Sequence, residues 1–448
     1  MIIQKYLNSQ DLTSQRQKVA GAGRKNGLPI IGFHYLTALL VFCITIDYRL
    51  PGSFTLVEVL SYVFILFYGM NTLLTNGKLH RAIISAYTEN KVVFFYFFWI
   101  FIDMVMAISF REYPRYNISY FRNIIPSIVV YFLVVSTIKD KKRFQLLTSF
   151  YLAGVIVNVL VGLSQALSGW PEIVPGNWAT TMKMDSSGAV VTGHVVRGFF
   201  SHPNAFAGFF IPSALLVITL IFRDFSSKKI VNFLFRILLS VCLFLIIKST
   251  YAKGVMFWIP LGIIFLFLPR PLNKWRLYLG IFSASGSIVA LTLYGLAESA
   301  KSGGALGTIQ TRVDLWRAAL AAMQEDNYIL LFGNGNAAVL KLSNVYSNIV
   351  YPNAHNGVLN QVIFYGVLGL VFYLWIIIDS LKRLSNLIEK RQEFTYSTAL
   401  FIFSSLIATL GNLFFEPFSE GVPLQAQLFF LIALTTIMNR PTFDEVDV

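Results

Sequence analysis

Charge is scarce in this chain of 448 residues: 13% of them are charged, against about a quarter in soluble proteins. That disfavours a disordered chain and a soluble nucleic-acid-binding domain. Cysteine is scarcer still. Cys43 and Cys242 are the two present, both inside apolar runs, so they read as small buried residues and a disulfide framework is excluded. The glycine patterns of a phosphate-binding loop and of a nucleophile elbow are missing, so neither ATP as energy source nor an acyl-enzyme hydrolase is indicated. Glu325 and Asp326 are adjacent, and Glu416 and Glu420 share another loop. No carboxylate–histidine cluster has metal-ligand spacing, however, and no Asp-x-Asp pair faces outward. No cofactor is expected. Low-complexity tracts and convincing repeats are absent too.

What fills the chain is apolar. Hydrophobic residues make up 56%, the mean hydropathy is +0.64, and they come in blocks of about 15 to 24 residues, the length of a transmembrane helix. Twelve spans are predicted, at 29–46, 53–75, 92–110, 124–138, 146–166, 204–222, 231–247, 254–268, 277–296, 357–378, 397–415 and 422–438. The expected fold is all-α, a polytopic integral membrane protein forming one domain over 1–448. Twelve spans put both termini on one side. With that side as the cytoplasm, 23 of the 36 Lys and Arg fall in inside segments and 12 in outside ones, and Arg236 lies within a span. The inside loops are short, where this bias sets orientation. Most of the +14 net charge is therefore topological, with Lys139, Lys141, Lys142 and Arg143 as one anchor. The first 28 or so residues are polar, unlike a cleavable signal peptide, whose apolar core starts earlier.

Two outward segments are long, at about 167–203 and 297–356, and a site on the outer face is the natural reading. In the second, Thr311 and Asp314 give a capping-box-like start. Val313, Trp316, Leu320 and Met323 then recur at helical spacing. This predicts a short amphipathic helix on the membrane surface or over a cavity, with Arg312 and Arg317 as its cations. Phe332-Gly333-Asn334-Gly335-Asn336 reads as a flexible turn. Tyr351-Pro352-Asn353-Ala354-His355-Asn356 leads into the tenth span. His355 is one of five histidines and stands at a water–membrane boundary, either as a proton acceptor near neutral pH or as a hydrogen-bonded structural residue.

The first long segment ends in Arg197-Gly198-Phe199-Phe200-Ser201-His202-Pro203-Asn204. Arginine, glycine and Pro-Asn at a helix entrance suit an anion site; the alternative is an interfacial arginine that snorkels to water. Trp170, Pro171, Pro175 and Trp178 precede it, as sugar-stacking surfaces or as an interfacial aromatic belt. Lys248-Ser249-Thr250-Tyr251-Ala252-Lys253-Gly254 puts two lysines on an outward turn, facing a phosphate or forming a plain surface turn. Asp103 and Arg236 are the main charged residues inside spans, at span boundaries or in structural pairs.

In order and spacing these motifs resemble the bacterial O-antigen ligase and polymerase family of membrane glycosyltransferases, most specifically over 162–370. The resemblance rests on Gly162-Leu163-Ser164-Gln165 with Trp170, Arg197-Gly198-Phe199 with Pro203-Asn204, and the turn from Ser249 to Gly254. It continues through Arg312, Trp316 and Gly333-Asn334-Gly335 to His355-Asn356, Leu359, Gly366 and Gly369. Two departures are visible. Lys253 stands where the family has arginine, keeping the charge but not the planar fork. Phe364 stands where an acidic residue is often found.

The resemblance implies a metal-independent, inverting glycosyltransferase of the bacterial inner membrane. Its donor would be a glycan on undecaprenyl diphosphate, used on the periplasmic face, and its acceptor lipid A-core or another glycan-lipid; membrane lipid surrounds it and nucleic acid is no partner. It implies His355 and Arg197 as catalytic. Lys253, Arg312, Arg317, Asn204, Asn356 and Trp316 would bind the diphosphate and sugar. A ligase is favoured. The rivals are a repeat-unit polymerase, a protein O-oligosaccharyltransferase and, in another class, a glycan-lipid flippase or transporter.

Overall fold

The computed structural model describes residues 33–47, 49–50, 54–74, 78–110, 114–171, 182–184, 190–192, 196–200, 203–221, 229–250, 253–301, 308–347, 353–390, 393–413 and 421–440. The polar N-terminal segment, Pro175, Trp178, Ser201, His202, Tyr351, Pro352, Glu416 and Glu420 lie outside these. In chain order the helices are α1 (Phe33–Ile44), α2 (Leu56–Leu74), α3 (Lys78–Glu89), α4 (Lys91–Phe110), α5 (Pro114–Thr137), α6 (Lys141–Ser168), α7 (Pro203–Ile221) and α8 (Lys229–Thr250). Next come α9 (Lys253–Leu266), α10 (Arg276–Lys301), α11 (Thr308–Glu325), α12 (Asn327–Phe332), α13 (Asn336–Ser347), α14 (Gly357–Lys390), α15 (Glu393–Leu413) and α16 (Val422–Met438). Two short antiparallel ribbons join them. One pairs Arg49–Leu50 with Phe54–Thr55 and the other pairs Met182–Met184 with Val190–Thr192.

The fold is all-α and polytopic. Among the described residues seven helices are long and apolar enough to cross a membrane, and four shorter apolar ones accompany them at Phe33–Ile44, Leu56–Phe67, Val255–Leu266 and Val422–Met438. Each of the twelve expected spans falls on a helix. All of α16 is buried, so it is the axis of the bundle, packed most closely on α5. The opposite case is α8, where Ile230, Phe233, Leu234, Leu238 and Phe244 are exposed. Such an apolar outward face is what lipid-facing helices present.

Three elements differ from expectation, each because polar residues were taken for loop. The amphipathic helix α3 occupies what reads as a basic inside loop. Proline opens α5 at Pro114, as the first helical position permits. Its polar stretch is accommodated because Arg122 Nε meets Glu58 Oε1 at 3.0 Å. Glu58 is itself buried at the start of α2 and accepts from the Thr55 amide. Finally, α14 runs on to Lys390, with Arg383 paired to Asp379 at 2.6 Å on the extension.

The Cys43 side chain is buried and that of Cys242 half-buried, and both thiols are free. Arg236 lies within α8, half-exposed. Asp103 is mid-helix in α4 and 3% exposed.

Candidate active site

At the end of the bundle where α6 stops and α7 starts, the structure joins two of the motifs. Helix α6 closes on Gly169, which caps it at φ 73°, and the chain turns away through Trp170-Pro171. The fully buried side chain of Gln165 organises the turn that leads into α7. Its Oε1 accepts from the backbone N–H groups of Arg197 (3.0 Å) and Gly198 (2.8 Å), and its Nε2 donates to the carbonyls of Gly198 (3.0 Å) and Pro171 (3.0 Å). Asn158, two turns earlier on α6, accepts from the Phe199 amide at 3.4 Å. Irregular backbone is tolerated in a membrane protein only where protein satisfies its polar groups, and these two side-chain amides do so.

Glycine is required at 198. Its φ is +54°, and a Cβ there would lie 2.7 Å from the Phe206 ring and 2.9 Å from Asn158 Oδ1. The turn closes with the Phe200 amide donating to the Arg197 carbonyl at 2.9 Å, and Pro203 opens α7.

The Arg197 residue is 2% exposed. That corrects the snorkelling alternative, which needs the guanidinium at the water surface. Directly before it, the Val196 amide donates to the Ser249 carbonyl at 3.0 Å. The structure therefore brings the Arg197 turn against the connection between α8 and α9, two motifs separated by about fifty positions. Lys253 opens α9 there; its side chain lies outside the described residues. Asn204 is half-buried in the first turn of α7.

His355 stands at the entrance of α14 in a strained conformation, φ +45°, a region a few per cent of non-glycine residues adopt and one that functional sites collect. Three asparagines hold it. Asn353 Oδ1 accepts from the His355 amide (2.8 Å), Asn360 Oδ1 from the Ala354 amide (2.8 Å), and Asn356 Oδ1 from the amides of Val358 and Leu359 (3.0 Å each). The helix cap is thus Asn356, the preferred residue type for it, and not His355. The imidazole is half-buried. Asn356, expected as a substrate ligand, has its carbonyl committed to this cap.

The long segment before His355 is built differently from expectation. Helix α11 starts at Thr308, so Thr311 lies inside it rather than capping it, and Asp314 pairs instead with Arg317 at 3.2 Å. The buried stripe is Leu315, Ala318, Ala319, Ala322 and Met323, while Leu320 is 50% exposed; the stripe is displaced because alanines carry the packing against α13. Trp316 is half-buried against the core, and its indole N–H is buried without a hydrogen bond. Arg312 is half-buried and Arg317 faces outward, its side chain 61% exposed.

Nor is Gly333-Asn334-Gly335 a flexible turn. All three residues are buried, and they plug a break in α14. At Gly366 the helix φ/ψ is 70°/−178°, which deprives the carbonyls just before it of their helical partners. The Gly335 amide donates to the Ile363 carbonyl (2.9 Å) and the Asn334 amide to the Phe364 carbonyl (3.3 Å). Trp99 Nε1, from α4, donates to the Tyr365 carbonyl at 2.7 Å. Phe364 stacks on Tyr120, ring centres 4.0 Å apart. Beside the plug lies a narrow cleft between α4, α5 and α14, lined by Asp103, Asn334 and Tyr365 among others.

Gln165, Asn158, Asn353 and Asn360 are therefore positioning groups that motif reading left without a role. Their signal was present: polar residues buried within or at the ends of apolar spans.

Similarity to known proteins agrees with the motif order. Residues 238–374 match the sequence model of the O-antigen ligase family. The matched stretch runs from within α8 to the middle of α14 and holds Lys253, Arg312, Trp316, Arg317, the Gly333–Gly335 plug, His355 and Asn356. Gln165, Arg197 and Asn204 precede it. No curated protein matches the chain. The family match supports a membrane-embedded, glycan-transferring enzyme, ligase or polymerase.

Proposed function

Because residues 238–374 carry a domain of the O-antigen ligase family, we propose that this protein transfers a glycan from undecaprenyl diphosphate to an acceptor hydroxyl at the periplasmic face of the bacterial inner membrane. Ligation of O-antigen to lipid A-core is the favoured reaction, and both termini are cytoplasmic. The observation that carries the mechanism is His355, held at φ +45° by a collar of three asparagines at the rim of α14. Backbone strain maintained by that many hydrogen bonds is the signature of a side chain that must point one way.

In the proposed reaction the acceptor oxygen attacks the anomeric carbon from the face opposite the diphosphate. The new C–O bond forms as the bond to the phosphate oxygen breaks, inverting the anomeric centre. The acceptor proton passes to the imidazole of His355, and the electron pair leaves on undecaprenyl diphosphate. Arg197, Lys253 and Arg312 stabilise that leaving charge, which is often the largest catalytic term. With cations from side chains in this role, metal is not required. Asn204, Trp316, Arg317 and Asn356 are assigned in this scheme to the glycan and diphosphate, Asn356 through its amide nitrogen, since its carbonyl caps α14. Support for a joint site comes from the hydrogen bond between Val196 and Ser249, which sets the turn of one cation beside the helix start of another.

Deletion of the gene with inspection of surface glycans separates the reactions. A ligase predicts loss of all long chains on lipid A-core while polymer accumulates on the lipid carrier. Chains capped at a single repeat would make it a polymerase instead. Unaltered surface glycans would contradict both.

A further inference from the structure

The plug in α14 is tied to a charged residue that the site does not use. Asn334 Nδ2 donates to Asp103 Oδ1 at 2.9 Å, a contact between buried side chains 231 positions apart. Asp103 is placed on the face of α4 that also presents Tyr96, hydrogen-bonded to Gln361 at 3.0 Å, and Trp99, bonded to the Tyr365 carbonyl at 2.7 Å. Spacings of three and four put these residues on one stripe. Every carbonyl freed by the break, at 363, 364 and 365, is thus taken by the 333–335 turn or by α4. The fit is close on both sides. A Cβ on Gly333 would sit 2.4 Å from the Phe364 carbonyl carbon, and one on Gly366 would sit 2.1 Å from the Leu331 carbonyl oxygen. The segment Gly357–Tyr365, which carries His355 at its head, is therefore a half-helix fixed at its foot. A carboxylate this deep in a span is expensive unless it does a job. Orienting the Asn334 side chain, itself at φ +64°, is a job that the geometry shows.

We infer that Asp103 and Asn334 form a latch that sets the position of the His355 half-helix against the α11–α13 hairpin, making Asp103 a positioning residue for the reaction. This rests on the function proposed above. The latch acts through geometry: the carboxylate accepts from the amide, the amide aligns the 333–335 turn, and the turn closes the break.

The test exchanges the two groups. Asn334→Asp sets two carboxylates against each other while keeping a residue type that tolerates left-handed backbone. Asp103→Asn keeps an acceptor for Asn334. The double variant restores one carboxylate and one amide with their places exchanged. In full-length protein in detergent, Asn334→Asp should lower kcat for glycan transfer on the order of a hundredfold, the scale of a misplaced catalytic group. KM for the lipid-linked donor should move far less. Asp103→Asn, which keeps an acceptor but loses the charge, should lower kcat measurably but less than Asn334→Asp does, and the double variant should recover most of what Asn334→Asp lost. Hydrogen–deuterium exchange over residues 327–347 and 357–366 should rise in Asn334→Asp and return toward wild type in the double variant. That second readout does not depend on catalysis. If His355→Ala proved fully active, the base assignment would fall, while rescued exchange protection would still establish the latch. Wild-type kcat and protection in Asn334→Asp, or no rescue of either by the added Asp103→Asn, would overturn it.

Discussion

At the scale of single residues, the cations and His355 were legible as candidates because they stand where an apolar chain has least reason to place them. Gln165 belongs to a visible motif, yet its role could not be read, because its four hydrogen bonds reach positions 171, 197 and 198 across a turn. Side-chain amides that organise backbone from a distance leave no periodic trace. The prediction at this scale concerns Arg197 and Lys253. If Arg197 holds the donor phosphate as proposed, Arg197→Ala loses a charge-assisted contact of about 1.5–3 kcal/mol, and transfer should fall a hundredfold or more with the protein still monodisperse. Lys253→Arg should retain much activity and Lys253→Ala little, measured as initial rates on a lipid-linked donor. Equal rates for Lys253→Ala and wild type would mean that the connection between α8 and α9 serves only structure.

Among elements, hydropathy found the apolar helices, seven of them long enough to span a membrane among the described residues, and missed their polar continuations. The opening of α5 went unseen because Arg122 is neutralised by Glu58 from α2, a partner that no local window contains. The short helix α9 ends where it does because Arg276, buried at the start of α10, donates to the carbonyls of Phe265 and Leu268. By count that arginine is one of the basic inside residues, and only the fold shows it as a helix cap. The break in α14 was equally hidden. Gly366 stands out as a motif glycine, but nothing local says that residues thirty positions earlier fill the gap. Two glycines give the contrast. Gly366→Ala forces a side chain onto positive φ and against Leu331, a cost of at least about 2 kcal/mol, and should lower the unfolding temperature in detergent sharply. Gly286→Ala, in α10, meets nothing within 4 Å and should be neutral or stabilise by up to about 1 kcal/mol. Similar melting shifts in both would show that the plug does not hold the bundle together.

Across the whole molecule, charge is divided between two ends. Opposite the candidate site, Arg440 meets Glu89 at 2.7 Å, Arg383 donates to the Glu89 carbonyl at 3.2 Å, and Arg143 pairs with Asp140 at 3.2 Å. Lys139 is crowded into the same cluster, where burial, then the nearby Arg440, holds its ammonium below the ordinary lysine value. This is the basic end that the count of Lys and Arg assigns to the cytoplasm. The opposite end carries the Arg197 turn, the start of α9 and the asparagine collar. This clustering of cations at one end was readable from composition, since it depends on where cations lie and not on how they pair. What the molecule does with its site end depends on whether His355 takes the acceptor proton, and turnover by purified protein with lipid-linked donor and acceptor tests that most directly. His355→Ala and His355→Asn should both lose transfer while still binding the donor, and wild-type activity should fall as pH drops through the imidazole's titration. Near-normal turnover by both variants would contradict the account and leave the cations as the whole of the mechanism.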